Sequence, residues 1–278
     1  MKRYRVVRWD YDMRVRTLVD PIEESWEEHV KEAHYQNRKI TENELISEYG
    51  EFAADDKKRN FIDLGAKPFS IVAFHNKFFE QIRTAFVMGA YYPALTAACS
   101  LGERILNHLI LLLRDDFRGT PEYKKVCSKD SFDDWAVAIR CLLSWQVLLP
   151  EVGDLYFTLK EMRHKAIHFR PETDKNDRAL AMQAIDCLQK IIGIQFAGLG
   201  HQPWFMNGIP GEIYIKREWE ERPFIKRIYL RSCPRLGPKN VIESYTPKIV
   251  INDQFDYEEK EISDEEFVVL RNAALEAK

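Results

Sequence analysis

The stretch GDLYFTLKEMRHKAIHFRPE, residues 153–172, carries apolar residues at Leu155, Leu159, Met162, Ala166 and Phe169. Their recurrence at intervals of 4, 3, 4 and 3 places them on one side of a helix, which predicts a helix over residues 152–169 with one buried face. Pro171 disfavours helical backbone at Arg170 and ends the segment there. Arg163, His164 and His168 fall off the apolar stripe, so core packing does not require them. An arginine can hold a phosphate through two parallel hydrogen bonds and a histidine titrates near neutral pH, a combination suited to chemistry on a phosphodiester.

The same three-and-four periodicity recurs on either side. It predicts helices near residues 68–89, 93–114, 131–147 and 175–196. Gly89 and Pro93, RGTPEY (118–123) and LLPEVGD (148–154) separate them, and Thr173 or Asp174 can cap the last. Links this short favour antiparallel neighbours, so residues 67–202 are expected to form a bundle of about five helices.

The flanks read differently. Residues 1–66 form an expected N-terminal extension: a strand or bent pair within residues 2–19, a surface helix from Pro21, a shorter helix capped by Thr41, and a loop or frayed helix end at AADDKKRN (53–60). A Gly/Pro-dense stretch, GLGHQPWFMNGIPG (198–211), opens a small α+β region over residues 203–278. There EIYIKREW (212–219), PFIKRIYLRS (223–232) and TPKIVIND (246–253) read as strands, and the tail as a helix with a capping box joining Ser263 to Glu266. The fold class expected is therefore mainly α.

Composition narrows the function classes. A net charge of -3 over 278 residues provides no global basic field, so any nucleic-acid binding must come from local patches. The 5 cysteines are odd in number, widely spaced and without a C-x-x-C pair, as free thiols in a reducing compartment would be. The N-terminus lacks the apolar core of a signal peptide, and the longest apolar run, LNHLILLLR (106–114), is too short to span a bilayer. A cytoplasmic protein without membrane contact is the expectation. No phosphate-binding P-loop, dinucleotide fingerprint or G-x-S-x-G elbow occurs.

The six residues Arg163-His164-Lys165-Ala166-Ile167-His168 resemble the R-x4-H signature of the HEPN superfamily. The segment YYPALTAACSLGERILNHLILLLRDDF (91–117) is similar to the small-residue-rich helix that pairs with the motif helix there. The resemblance spans roughly residues 68–196 and implies a metal-independent endoribonuclease, without cofactor, acting on RNA as a homodimer. By that analogy His168 is general base or acid and Arg163 holds the phosphate. It further implies a toxin or antiviral-defence effector restrained by a regulatory partner such as an antitoxin. Some family members carry a tyrosine two residues after the histidine, where modification controls them; here Arg170 stands there and offers a second phosphate contact. Positions five apart on an ideal helix diverge by about 140°, so a composite site across a two-fold axis is what the resemblance implies.

Other readings stand beside this one. Arg163 and His168 also suit a solvated helix face whose histidine is favoured by the helix dipole. A HEPN-like bundle that binds RNA, nucleotide or protein without cleaving it is the alternative function. His164 and His168 share a face as zinc ligands would, but Lys165 stands where a metalloprotease helix has glutamate. Glu103, with Asn107 one turn on, is a candidate for orienting the motif, or for a plain ion pair with Arg163. Residues 212–239 interleave Lys216, Arg217, Lys226, Arg227 and Arg231 with Tyr214, Trp219, Phe224 and Tyr229. That pattern fits an RNA-binding sheet, and equally a strand with a solvated charged face; the basic N-terminal strand is a candidate to pair with it.

Overall fold

The computed structural model describes residues 3–7, 12–167, 175–197, 202–209, 212–232, 241–244, 249–253 and 261–276. The chain is mainly helical and divides into two compact units: Tyr11–Phe196, and Met1–Asp10 with Ala197–Lys278. Among the described residues no helix is long and apolar enough to cross a membrane.

The larger unit contains α1 (Arg14–Val19), α2 (Glu28–Tyr49), α3 (Ala54–Asp63), α4 (Ala73–Val87), α5 (Tyr91–Leu113), α6 (Tyr123–Val126), α7 (Trp135–Ser144), α8 (Pro150–Ile167) and α9 (Asp177–Gln195). The expected bundle is α4, α5, α7, α8 and α9. Its centre is α5, which packs against the other four. Ala94, Ala98 and Gly102 let neighbours approach, and Leu95, Leu101, Ile105, Leu106 and Ile110 fill the space between them. Gly102 faces Leu159 and the Trp135 ring so closely that a Cβ there would stand 2.7 Å from the leucine. Tyr92 Oη donates to the Ala166 carbonyl at 3.4 Å. Contacts that climb α8 while descending α5 make these two helices antiparallel.

The first 66 residues are not a separate extension beyond Asp10. Residues 14–19 form a helix where strand was expected, with Val15 and Leu18 buried. Thr41 caps nothing: it is buried mid-helix, because the two acidic segments join into the single helix α2. AADDKKRN, expected as a loop or a frayed helix end, is the ordered start of α3, which turns Phe61 inward. These helices dock through buried polar groups. Arg83 on α4 donates to the Leu64 and Gly65 carbonyls just past α3 and to Gln189 Oε1 on α9. Asn60 Nδ2 donates to the Phe86 and Val87 carbonyls and to Tyr91 Oη, while Arg178 donates to Asn60 Oδ1.

In the smaller unit, β1 (Arg3–Val7) lies antiparallel to β5 (Ile249–Asp253), which pairs antiparallel with β4 (Val241–Ser244). Thus β1 pairs in a different sheet from the one expected. A separate hairpin joins β2 (Phe205–Ile209) to β3 (Glu212–Ile215). A short helix, α10 (Arg217–Glu220), leads into α11, residues 223–232, with a π-helical turn over Ile225–Tyr229. The chain closes with α12 (Asp264–Glu276). The expected capping box is present there: Ser263 N–H donates to Glu266 Oε2 at 2.9 Å and Glu266 N–H to Ser263 Oγ at 3.1 Å.

PFIKRIYLRS is a correction, since it is helix and not strand. Its β-branched and aromatic residues suggest a strand by type. Their positions decide otherwise: Phe224, Ile225, Ile228 and Tyr229 recur one turn apart and are buried, the two aromatic rings against Trp204.

Candidate functional site

The buried face of α8 is turned from the one expected. Val152, Tyr156, Leu159 and Ala166 are buried, whereas Leu155 and Met162 are only half-buried. The Tyr156 ring meets Trp135 edge-on, with centroids 6.4 Å apart, and supplies more burial than Leu155 would. Arg163 lies seven residues after Tyr156, almost two turns on, so this rotation brings it to the rim of the core face.

At that rim three side chains meet. Arg163 Nη2 stands 3.0 Å from Glu103 Oε2, and both side chains are less than a third exposed. Trp135 Nε1 donates to the same carboxylate oxygen at 3.0 Å. The guanidinium carbon lies 5.6 Å from the centroid of the Trp135 ring, within cation–π range. The indole N–H and the ring face thus act together, one holding the carboxylate and the other the cation. Of the two readings of Glu103, the ion pair with Arg163 is present.

Asn107 has another role: it donates to the Glu103 carbonyl and accepts from the Phe132 backbone N–H at 2.8 Å, bracing the segment that enters α7. His164 is exposed on α8. His168 and Arg170 lie outside the described residues, as do the proposed caps Thr173 and Asp174. Their convergence with Arg163 therefore remains an expectation from the sequence.

The nearby thiols are inert in character. Burial pushes Cys99 up to about 12, against a smaller pull from Arg163, and burial pushes Cys187 up to about 11. Cys187 Sγ donates to the Leu155 carbonyl at 3.0 Å. Among the described residues, no three His, Cys, Asp or Glu side chains are grouped to hold a metal ion.

The basic candidates of the smaller unit are spread over several elements. Lys216 precedes α10; Arg217 lies on it and pairs with Glu261 at 3.3 Å. Lys226, Arg227 and Arg231 are exposed on α11. Phe224 and Tyr229 are buried and thus unavailable for stacking on bases, which removes half of the expected RNA-binding sheet.

Sequence reading missed Trp135 and Tyr92. A tryptophan placed directly after the capping aspartate Asp134, whose side chain accepts from the Ala136 and Val137 N–H groups, was the available signal for the first. Comparisons with protein-family models, with curated proteins and with solved structures find no match to this chain.

Proposed function

We propose that this chain is a metal-independent endoribonuclease of the HEPN type, acting as a homodimer with Arg163 and His168 as its reacting pair. The observation supporting this reading most directly is the setting of Arg163. Glu103 and Trp135 hold its guanidinium at the rim of α8, with Nη2 on the carboxylate. Among the described residues Glu103 is the carboxylate paired with it. A fixed, half-buried arginine with remaining N–H groups is prepared for a phosphate, because little of its conformational freedom is left to lose.

In this reading RNA provides its own nucleophile. The 2′-oxygen attacks phosphorus as His168 of one protomer removes its proton, forming the P–O2′ bond. The P–O5′ bond breaks, and the 5′-oxygen takes a proton from the partner's His168. Arg163 stabilises the charge that gathers on the non-bridging oxygens. The products are a 2′,3′-cyclic phosphate and a 5′-hydroxyl. A toxin or defence role under a restraining partner accompanies this reading by family analogy alone.

The Arg163–Glu103 contact also favours a second reading, a module that binds RNA without cleaving it, since the cation already has a counter-charge. One experiment separates them. Labelled structured RNA is incubated in excess EDTA with wild type, Arg163→Ala and His168→Ala. Cleavage by wild type alone, leaving cyclic-phosphate ends, supports the nuclease. Binding without cleavage supports the module, and equal cleavage by all three removes this helix from the reaction.

A further inference from the structure

The α11 helix has two contrasting sides. Phe224, Ile225, Ile228 and Tyr229 are buried, with Trp204 centroids 5.7 Å and 5.0 Å from Phe224 and Tyr229. On the other side stand Lys226, Arg227 and Arg231, with Arg222 just ahead of the helix, at intervals of 4, 1 and 4. Intervals of four and five return to one face in a helix that passes through a π turn. Lys226, Arg227 and Arg231 are exposed and Arg222 half-exposed. No aspartate or glutamate occurs between residues 222 and 232, in a chain whose net charge is -3.

Two details orient this face toward a ligand. The Arg222 guanidinium carbon lies over Trp219, 3.8 Å from the ring centroid, and its Nε donates to the Glu218 carbonyl. It is therefore a cation held in place. Lys226 meets Glu221 at 2.7 Å, but the two side chains are 61% and 83% exposed, so that pair contributes little and exchanges readily for a phosphate.

We propose that this face is a docking surface for the sugar–phosphate backbone of RNA, read through charge and not through bases. The choice of RNA rests on the function proposed above; the polyanion chemistry rests on the face itself. Of the aromatic residues that would stack on bases, Phe224 and Tyr229 are inside, the Trp219 ring is covered by the Arg222 guanidinium, and Tyr214 packs edge-on against Phe267. An anionic membrane is the lesser fit, because among the described residues of 202–232 no large apolar side chain is exposed for insertion.

The test uses the full chain carrying His168→Ala, so that RNA stays intact, and follows anisotropy of a labelled unstructured single strand. Four phosphate contacts predict an affinity loss of about 50-fold between 50 and 200 mM salt, from a slope of roughly -0.7 per contact. Adding Lys226→Glu with Arg231→Glu should weaken binding at least tenfold at the lower salt and reduce the salt effect to about sevenfold. Arg16→Glu with Lys39→Glu changes the net charge equally on exposed positions of the other unit and should leave binding within about twofold. Oligo(U) and oligo(A) should bind alike.

Equal losses in the two double variants would overturn the proposal, as would undetectable binding by the parent. Retained RNA affinity with lost binding to phosphatidylserine vesicles would replace RNA by a lipid surface. Loss of RNA binding in the α11 variant, combined with no cleavage by wild type, would leave the docking face standing and remove the nuclease.

Discussion

Arg163 Nη2 stands 3.0 Å from Glu103 Oε2, and this contact joins the motif helix α8 to the central helix α5. Trp135 completes it from α7. A cation thereby sits beside the core with its charge balanced, which neither helix could achieve alone.

Glu103→Gln keeps an acceptor for the Trp135 N–H and removes the charge opposite Arg163. We expect RNA affinity to rise about fivefold, the factor for roughly 1 kcal/mol of relieved competition, while turnover falls because the guanidinium is held less firmly. Binding and single-turnover rates measured separately would show this split. A double-mutant cycle of Arg163→Ala and Glu103→Ala on stability should give a coupling of about 1 kcal/mol; zero coupling would mean that the contact does not hold the arginine.

Gly102→Ala tests how closely α5 and α8 approach. The added Cβ would meet Leu159 at 2.7 Å and the Trp135 ring at 3.2 Å. Overpacking of about 1–3 kcal/mol should exceed the gain of about 1 kcal/mol in helix propensity. The melting temperature should fall, and further for Gly102→Val. An unchanged value would mean that Leu159 shifts aside freely.

His75 governs an acid limb. It is buried, bonded through Nδ1 to Ser70 Oγ at 2.8 Å, and burial, with a smaller contribution from His108, lowers it from 6.5 to about 3. Between these values the unfolded chain holds a proton that the folded chain does not, so stability falls as pH falls below about 6.5. The loss is up to about 1.4 kcal/mol per pH unit. Urea unfolding at pH 7, 6 and 5 should show this slope, and His75→Gln should flatten it.

Arg83→Met removes the donor that satisfies the carbonyls of Leu64 and Gly65. These lie just past the end of α3, where a helix leaves its carbonyls without internal partners. We expect a loss of about 2–3 kcal/mol by denaturant titration, with the α2–α3 segment becoming protease-sensitive before the bundle. Uniform cleavage would contradict that order.

The five bundle helices were legible because periodicity records which side of a helix avoids water, and Gly89 marks where one of them stops. The capping box at Ser263 was legible for a similar reason, since both partners lie within four residues. Elements whose burial depends on distant neighbours were read less well. Thr41 looks like a cap until the chain on both sides is seen to be helical. The aromatic and β-branched residues of α11 look like a strand until they are seen buried on one side, with Phe224 and Tyr229 against Trp204.

The sequence by itself determined a mainly helical chain, its central small-residue helix and the presence of Arg163 near the end of another. Those features depend on interactions within one turn or one face, which spacing encodes. Only the tertiary structure decided that Tyr156 and not Leu155 faces the core, that Arg163 meets Glu103 and Trp135, and that the cations of α11 stand together outside a buried aromatic cluster. Those outcomes depend on how large side chains from remote segments fill a shared volume, and a close-packed interior admits few arrangements that satisfy them all.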